Sequence, residues 1–206
     1  MNDVDFIKSL NEKGGEGGLF HGGPSQNVQQ AFLASCITFV RPREVIEIGT
    51  HRGNFSFFVK KLLPSVPLTT FGDNPESEKC IEKINEYLDT DIKFVLGDSK
   101  KTFSEYEGTA DIIWVDGGHS YEDAFNDLAN SALKNIPFIL IDDVSMGDVQ
   151  LALLEFLKRY PSYKIIATSP DVRSTIFITN KDIDNNIVWN KLVGPFLLTV
   201  SKSLFS

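Results

Sequence analysis

The sequence predicts an α/β fold built around a mostly parallel sheet. Five short apolar stretches each end on acidic residues, and segments of helix length separate them. Short apolar runs that alternate with helical patterns are typical of βαβ units around a buried parallel sheet. Ligands of such sheets bind outside the carboxyl ends of the strands. We therefore expect the acidic ends on the ligand-binding edge of the sheet; they are Glu47, Asp73, Asp98, Asp116 and the pair Asp142-Asp143.

The elements can be placed in order from the same pattern. Strands are predicted near 44–48, 67–72, 92–97, 111–115 and 136–141, with two more near 163–168 and 173–179. The connection around Ser169 and Pro170 is so short that the last two strands must form an antiparallel hairpin. A short helix is predicted near 3–11, and a second one from about Ser25 to about Val40. Further helices are predicted near 54–63, 75–88, 119–134, 147–159 and 185–193.

Length and composition indicate one domain. The chain has 206 residues, of which 42% are hydrophobic, enough for a continuous core. We divide it into an N-terminal helical and flap extension (1–40), a core (44–179) and a C-terminal extension (180–206). Residues 13–24 carry six glycines around Leu19 and Phe20. This segment is either a flap that closes over a ligand or a linker with a small apolar anchor.

Charge and cysteine content exclude several classes of partner. The net charge is -8 and no run of Lys or Arg is present, which argues against nucleic acid as a partner. Cys36 and Cys80 have no metal-ligand spacing and are expected to be free thiols in a reducing cytosol. No apolar run reaches the ~18 residues of a membrane helix, and the acidic start is unlike a signal peptide. We expect a cytoplasmic protein without a membrane partner.

The first predicted strand runs into a glycine-containing turn. The segment 45–54 reads V-I-E-I-G-T-H-R-G-N, which gives the pattern E-x-G-x-x-x-G. Gly49 allows the backbone to turn and a ligand to approach, while Gly53 removes a side chain where a helix begins. His51 occupies the second glycine position of a dinucleotide fingerprint, and the lysine of a P-loop is absent. A pyridine-dinucleotide oxidoreductase is therefore disfavoured.

This turn resembles the first motif of the class I S-adenosylmethionine-dependent methyltransferases, and the resemblance extends over about 44–179. It implies their three-layer Rossmann-like fold, with a mostly parallel seven-stranded sheet that ends in an antiparallel hairpin. It also implies S-adenosylmethionine as cofactor, with ribose near Asp73 and adenine near Asp98. The cofactor-binding residues that the resemblance indicates are Glu47, Gly49, Thr50, Gly53, Asp73, Asn74, Asp98, Ser99 and Asp116.

A second cluster of polar residues follows the fourth and fifth strands. Asp116 opens the segment D-G-G-H-S-Y, and Asp142 and Asp143 close the fifth strand. Hard oxygen ligands of this kind suit Mg²⁺ or a similar cation. The two segments together resemble the metal-dependent small-molecule O-methyltransferases related to macrolide-sugar and cephalosporin-tailoring enzymes. That resemblance implies a divalent cation at Asp116, Asp142 and Asp143, with His119 as the base.

Structural roles for the same residues stay open at this stage. Adjacent Asp142 and Asp143 would point to opposite faces of a regular strand, so both can bind one ion only if the chain bends there. Asp143 could instead help to cap the helix that begins near Met146. Asp116 could hold the glycine turn through its side chain. His119 could be a helix-start residue bonded to the backbone.

The leading hypothesis is methyl transfer from S-adenosylmethionine to a hydroxyl of a small molecule, assisted by a divalent cation such as Mg²⁺. The alternatives are a metal-free transfer such as N-methylation, and a regulatory protein that binds S-adenosylmethionine without catalysis. The sequence indicates neither the acceptor nor whether the protein forms a homo-oligomer.

Overall fold

The structure is a computed structural model, and it describes residues 1–11, 24–169 and 174–193. The glycine-rich segment 13–24, a flap or a linker by its sequence, lies almost wholly outside the described residues, as does the end of the C-terminal extension. No helix within the described ranges combines the length and apolarity that crossing a membrane requires. Both cysteines are buried free thiols, as expected.

One seven-stranded sheet organises the protein. Its strands are β1 (Val45–Ile48), β2 (Leu68–Gly72), β3 (Lys93–Leu96), β4 (Ile112–Val115), β5 (Phe138–Ile141), β6 (Lys164–Thr168) and β7 (Ile176–Thr179). Their spatial order is β3-β2-β1-β4-β5-β7-β6. The first five are mutually parallel, whereas β7 runs antiparallel to both β5 and β6. The predicted mostly parallel sheet with an antiparallel C-terminal pair is confirmed.

Eight helices are described around this sheet. They are α1 (Asp3–Asn11), α2 (Pro24–Val40), α3 (Asn54–Leu62), α4 (Pro75–Leu88), α5 (Ser99–Glu105), α6 (Tyr121–Leu133), α7 (Gly147–Arg159) and α8 (Asn185–Val188), and a π-helical turn, Trp189–Val193, continues α8. Helix α5 is missing from the sequence-based prediction. It has seven residues and buries one of them, Phe103, so it carries too little periodicity to be recognised.

The core has two apolar layers, one on each face of the sheet. Strand β4 shows how they arise, because its side chains alternate between the faces. Trp114 packs in the layer beneath α1 to α4, where its ring stacks on Phe55 with centroids 5.1 Å apart. Ile113 packs in the other layer, with Leu128 of α6 and Phe156 of α7. Helices therefore cover both faces, and the ligand-binding edge lies where the parallel strands end.

Candidate functional site

A cavity of about 670 Å³ opens at the carboxyl edge of the parallel strands. Its size is that of a small-molecule site, which typically spans roughly 300–1,000 Å³. The loops after β1, β2, β3, β4 and β5 all contribute to its wall. From the predicted site, the wall contains Gly49, Thr50, Asp73, Asn74, Asp98, Ser99, Asp116, His119 and Asp143.

Gly49 brings two neighbouring strand ends into close contact. Its φ is +98°, a conformation that side-chain-bearing residues rarely adopt, and a Cβ there would lie 1.8 Å from the carbonyl oxygen of Asp116. The backbone N–H groups of Gly49 and Thr50 both donate to the carbonyl of Phe71, at 2.9 and 3.1 Å. The turn after β1 is thereby held between the end of β2 on one side and the backbone of Asp116 on the other.

We expect Gly49→Ala to destabilise the protein and to abolish ligand binding at the cavity. Forcing alanine into this conformation costs about 1–3 kcal/mol, and the overlap with backbone atoms must also be relieved by moving the turn. Thermal unfolding and S-adenosylmethionine titration would measure both effects. Gly147→Ala is the matched control, because a Cβ at Gly147 meets no atom within 4 Å. A Gly49→Ala protein as stable as the wild type would contradict this assignment.

Glu47 and Gly53, both predicted to bind the cofactor, do not line the cavity. Glu47 lies one position before the end of β1 and is 1% exposed, and its carboxyl accepts a hydrogen bond from the Ser56 hydroxyl. A Cβ on Gly53 would come 2.6 Å from Cδ1 of Ile84, so this glycine allows α3 to begin against α4. The structure gives both residues a packing role next to the turn.

The burial of the Glu47 carboxyl makes the stability of the protein depend on pH. Burial raises its pKa from 4.5 to about 8, although hydrogen bonds from Ser56 and Thr70 oppose the shift. The folded protein therefore holds a proton that the unfolded chain loses at lower pH. The resulting stabilisation of the folded state is complete below the pKa that Glu47 has in the unfolded chain. It is lost as the pH rises through the pKa that Glu47 has in the folded protein.

We expect the wild type to lose stability relative to Glu47→Gln as pH rises. Between about pH 5 and about pH 8 the difference in free energy of unfolding should change by up to about 1.4 kcal/mol per pH unit. Denaturant unfolding at several pH values measures it. Parallel stability curves for the two proteins would show that Glu47 is not protonated in the fold.

The residues expected near ribose and adenine lie together on one part of the wall. Asp73 follows β2 directly and is exposed. The Asn74 side chain caps α4 by accepting a hydrogen bond from the Glu76 N–H, and Asp98 caps α5 by accepting one from the Lys100 N–H, each at 2.9 Å. Asn74 and Asp98 therefore also fix the starts of the two helices that border the cavity.

Asp116, His119 and Asp143 converge at another part of the wall. One ligand atom from each lies within 4.8 Å of the others. His119 Nε2 is 3.1 Å from Oδ2 of Asp143 and 3.9 Å from Oδ1 of Asp116. Asp143 has a φ of +53°, so the chain bends immediately after β5, as a shared site with Asp142 would require.

Asp142 lies beside this group but outside it. The Nε2 amide of Gln29 donates to its two oxygens at 2.8 and 2.9 Å, and the Thr175 hydroxyl donates to Oδ1 at 2.8 Å. Burial and the charges of Asp116 and Asp143 raise the pKa of Asp142 to about 7. Its carboxyl does not line the cavity, although its charge acts on the residues that do.

His119 is held by carboxylates. It precedes α6, whose N-cap is Ser120, so it belongs to the loop rather than to the helix. The neighbouring Asp116 carboxylate is the main reason that the pKa of His119 is raised; partial burial opposes this, and the charges of Asp143 and Asp142 add to it. Its side chain is 46% exposed and can reach a molecule in the cavity.

Sequence reasoning missed three buried polar residues behind the wall. Gln29 and Thr175 bind Asp142, and Asp127 accepts a hydrogen bond from the Ser99 hydroxyl at 2.8 Å. None belongs to a recognisable motif. Asp127 offered one signal, since an acidic residue on the apolar face of α6 is unusual without a partner.

The donor set of Asp116, His119 and Asp143 fits a divalent cation. Its two carboxylates are the type of ligand that Mg²⁺ selects. Asp142, the third carboxylate expected at the cation, lies beside this set and is bonded to Gln29 and Thr175. Asp142 and Asp143 are each only 5% exposed. Buried carboxylates are costly without a compensating positive charge, which a cation or a protonated His119 can supply.

Comparisons with known proteins agree with this geometry. Residues 46–144 match the family model Methyltransf_24, described as a methyltransferase domain. No curated protein matches the sequence. Among solved structures, the SAH-bound methyltransferase PaMTH1 of Podospora anserina has a TM-score of 0.68 at 16% identity, with 88% of this chain and 89% of that chain covered.

Two further solved structures are O-methyltransferases. TomG of Streptomyces achromogenes, in complex with SAM, has a TM-score of 0.65 at 14% identity, covering 87% of this chain and 90% of its own. The SAH complex of the Bacillus cereus O-methyltransferase has a TM-score of 0.65 at 16% identity, covering 86% and 90%. These likenesses establish the shared fold, and the match over residues 46–144 identifies the domain. Residues 46–144 therefore carry the match to a methyltransferase domain, and the chain shares the fold of these S-adenosylmethionine- and S-adenosylhomocysteine-bound methyltransferases.

Proposed function

We propose that this methyltransferase acts on a hydroxyl group of a small molecule, with a divalent cation at the acceptor end of the cavity. The observation that carries the proposal is the convergence of Asp116, His119 and Asp143 on one part of the wall. Two carboxylates and an imidazole are the groups needed to bind a hydroxylated acceptor and to remove its proton. The O-methyltransferase relatives TomG and the Bacillus cereus enzyme agree with this class of reaction.

The cofactor is assigned to the part of the wall formed by the loops after β1, β2 and β3. S-adenosylmethionine supplies an electrophilic methyl group when it is bound. Asp73 is suited to accept hydrogen bonds from ribose hydroxyls, because its exposed carboxylate follows β2 at the cavity. The 98–99 loop would contact adenine, and the Gly49 turn leaves room for close approach of the ligand.

The cation is assigned to Asp116, Asp142 and Asp143. When bound, it would make the acceptor hydroxyl more acidic and position it. Asp143 lies on the cavity wall with Asp116, whereas Asp142 would contribute from behind it. The positive φ of Asp143 bends the chain just after β5, so Asp142 and Asp143 do not follow the regular alternation of a strand.

His119 is assigned as the general base. It sits between Asp116 and Asp143 and lines the same cavity. In its neutral form one ring nitrogen can accept the proton of the acceptor hydroxyl, while the carboxylates stabilise the imidazolium that results. The acceptor oxygen would then attack the methyl group, and the proton would leave through the exposed side of the ring.

The test is an acceptor panel that contains both hydroxylated molecules and amines. S-adenosylhomocysteine formation would be followed with Mg²⁺ and with a chelator. We expect product with a hydroxylated acceptor, and loss of turnover on chelation that added Mg²⁺ restores. Turnover of amines that chelation leaves unchanged would favour metal-free N-methylation. Tight cofactor binding without product from any acceptor would favour a regulatory protein.

A further inference from the structure

A buried hydrogen-bond network joins helix α2 to the carboxyl edge of the sheet. Gln29 of α2 donates to both oxygens of Asp142, which lies 113 positions later in the chain. Its amide nitrogen is also 3.2 Å from the Thr175 hydroxyl, which itself donates to Asp142. Gln29 and Asp142 are each 5% exposed and Thr175 is fully buried. These contacts persist only while α2 is docked on the sheet.

The network also fixes the segment that carries Thr175. The Thr175 N–H donates to the Ser169 hydroxyl at 3.1 Å, and the Ser169 N–H donates to the Thr175 carbonyl at 2.8 Å. Thr175, whose hydroxyl bonds to Asp142, is thus itself fixed by hydrogen bonds between the end of β6 and the start of β7. Three separate parts of the fold determine how the Asp142 carboxylate is oriented.

The chemistry of the two donors, an amide and a hydroxyl, indicates that the network orients the Asp142 carboxylate. An amide that contacts both oxygens and a hydroxyl that contacts one leave the carboxylate little rotational freedom. Both donors are neutral, so they orient Asp142 without neutralising it. A lysine or arginine in place of Gln29 would instead consume the negative charge. The orientation of Asp142, beside Asp116 and Asp143, is therefore set by uncharged donors.

We propose that Gln29 and Thr175 are positioning residues for the cation site. They orient Asp142, and through the adjacent backbone the bend at Asp143, so that cation affinity depends on the docking of α2. This inference rests on the proposed cation at the acceptor end of the cavity. Hydrogen-bond partners of metal-binding side chains typically change metal affinity or activity by about 10–100-fold when they are removed.

The test is Mn²⁺ affinity, measured by the electron paramagnetic resonance signal of the free ion. We expect Gln29→Leu and Thr175→Val to weaken Mn²⁺ binding by about 10–100-fold. Thr175→Ser keeps the hydroxyl and should restore affinity to nearly that of the wild type. Ser35→Ala is the matched control on α2, because Ser35 lies six positions after Gln29 and its hydroxyl donates within the helix, to the Ala31 carbonyl.

A purely structural role would produce a different result. S-adenosylmethionine affinity should stay near that of the wild type in every folded variant, since the cofactor is assigned to other loops. A folded Gln29→Leu protein with the Mn²⁺ affinity of the wild type would overturn the inference. If Gln29→Leu does not fold, equal Mn²⁺ affinities of Thr175→Val and Thr175→Ser would overturn it. No Mn²⁺ binding by the wild type would overturn the proposed cation, and this inference with it.

Discussion

Asp143→Asn is expected to reduce methyl transfer by on the order of 10³-fold while the fold and cofactor affinity are retained. The reason is the loss of one carboxylate from the proposed cation site, where a bound cation would stabilise the developing negative charge, an effect of several kcal/mol. Asparagine has the same shape and tolerates the positive φ at this position better than most residues. The substitution therefore removes charge with little disturbance of the bend.

The measurement is kcat/KM with the acceptor found in the panel, over a series of Mg²⁺ concentrations. Asp148→Asn is the matched control, because it makes the same charge change five positions away on an exposed part of α7. We expect the control to keep wild-type activity. Asp143→Asn activity within a few-fold of the wild type, with unchanged dependence on Mg²⁺, would rule out the cation assignment.

His119→Ala is expected to lower kcat by about 10²–10⁴-fold, the usual contribution of a general base. S-adenosylmethionine and Mn²⁺ should still bind, because neither is assigned to the imidazole. The variant leaves space beside Asp116 and Asp143 where a small base can enter. Added imidazole should therefore restore part of the rate, which distinguishes proton transfer from a purely structural contribution.

Three outcomes would count against His119 as the base. The first is a rate that changes less than tenfold, and the second is a loss of rate fully explained by weaker Mn²⁺ binding. The latter would make the imidazole a cation ligand, a role that its distance of 3.1 Å from Asp143 also permits. The third is a rate that imidazole does not restore although both ligands bind normally.

The fold could be predicted because local and long-range signals agree. Each parallel strand is a short apolar run, and each predicted start lies within two residues of the observed one. The reversed pair follows from the length of its connection alone. Helix α5 was lost because its signal is a cap at Asp98 followed by only seven helical residues. The resemblance to the methyltransferases places Asp98 near adenine and does not mark it as the cap of a helix.

The site was predictable where a residue ends a strand, and less so elsewhere. Asp73, Asp98, Asp116 and Asp143 line the cavity because parallel strands bring their carboxyl ends to one edge. Glu47 lies within β1, level with Trp114 and two positions before the level of Asp116, so its side chain is buried in the packed interior instead. Two residues of register separate a cavity residue from a buried one, and the sequence pattern does not resolve that difference.

Tertiary contacts between distant segments account for the rest. Gln29 meets Asp142 across more than a hundred residues, and no local pattern on α2 marks the glutamine as different from its neighbours. Thr175, the residue directly before β7, is likewise not marked by any local pattern. Such residues can be identified only once the order of the strands places α2, β5 and β7 around one point.

The most direct test of the central claim is calorimetric titration of S-adenosylmethionine into the wild type and Asp73→Ala. We expect saturable binding of one molecule per chain by the wild type, and an affinity at least about tenfold lower for the variant, because two hydrogen bonds from ribose hydroxyls to the carboxylate would be lost. Asp89→Ala, a change at the exposed end of α4, should bind as the wild type does. No heat of binding with the wild type, or equal affinities for wild type and Asp73→Ala, would contradict the assignment of this cavity to the methyl donor.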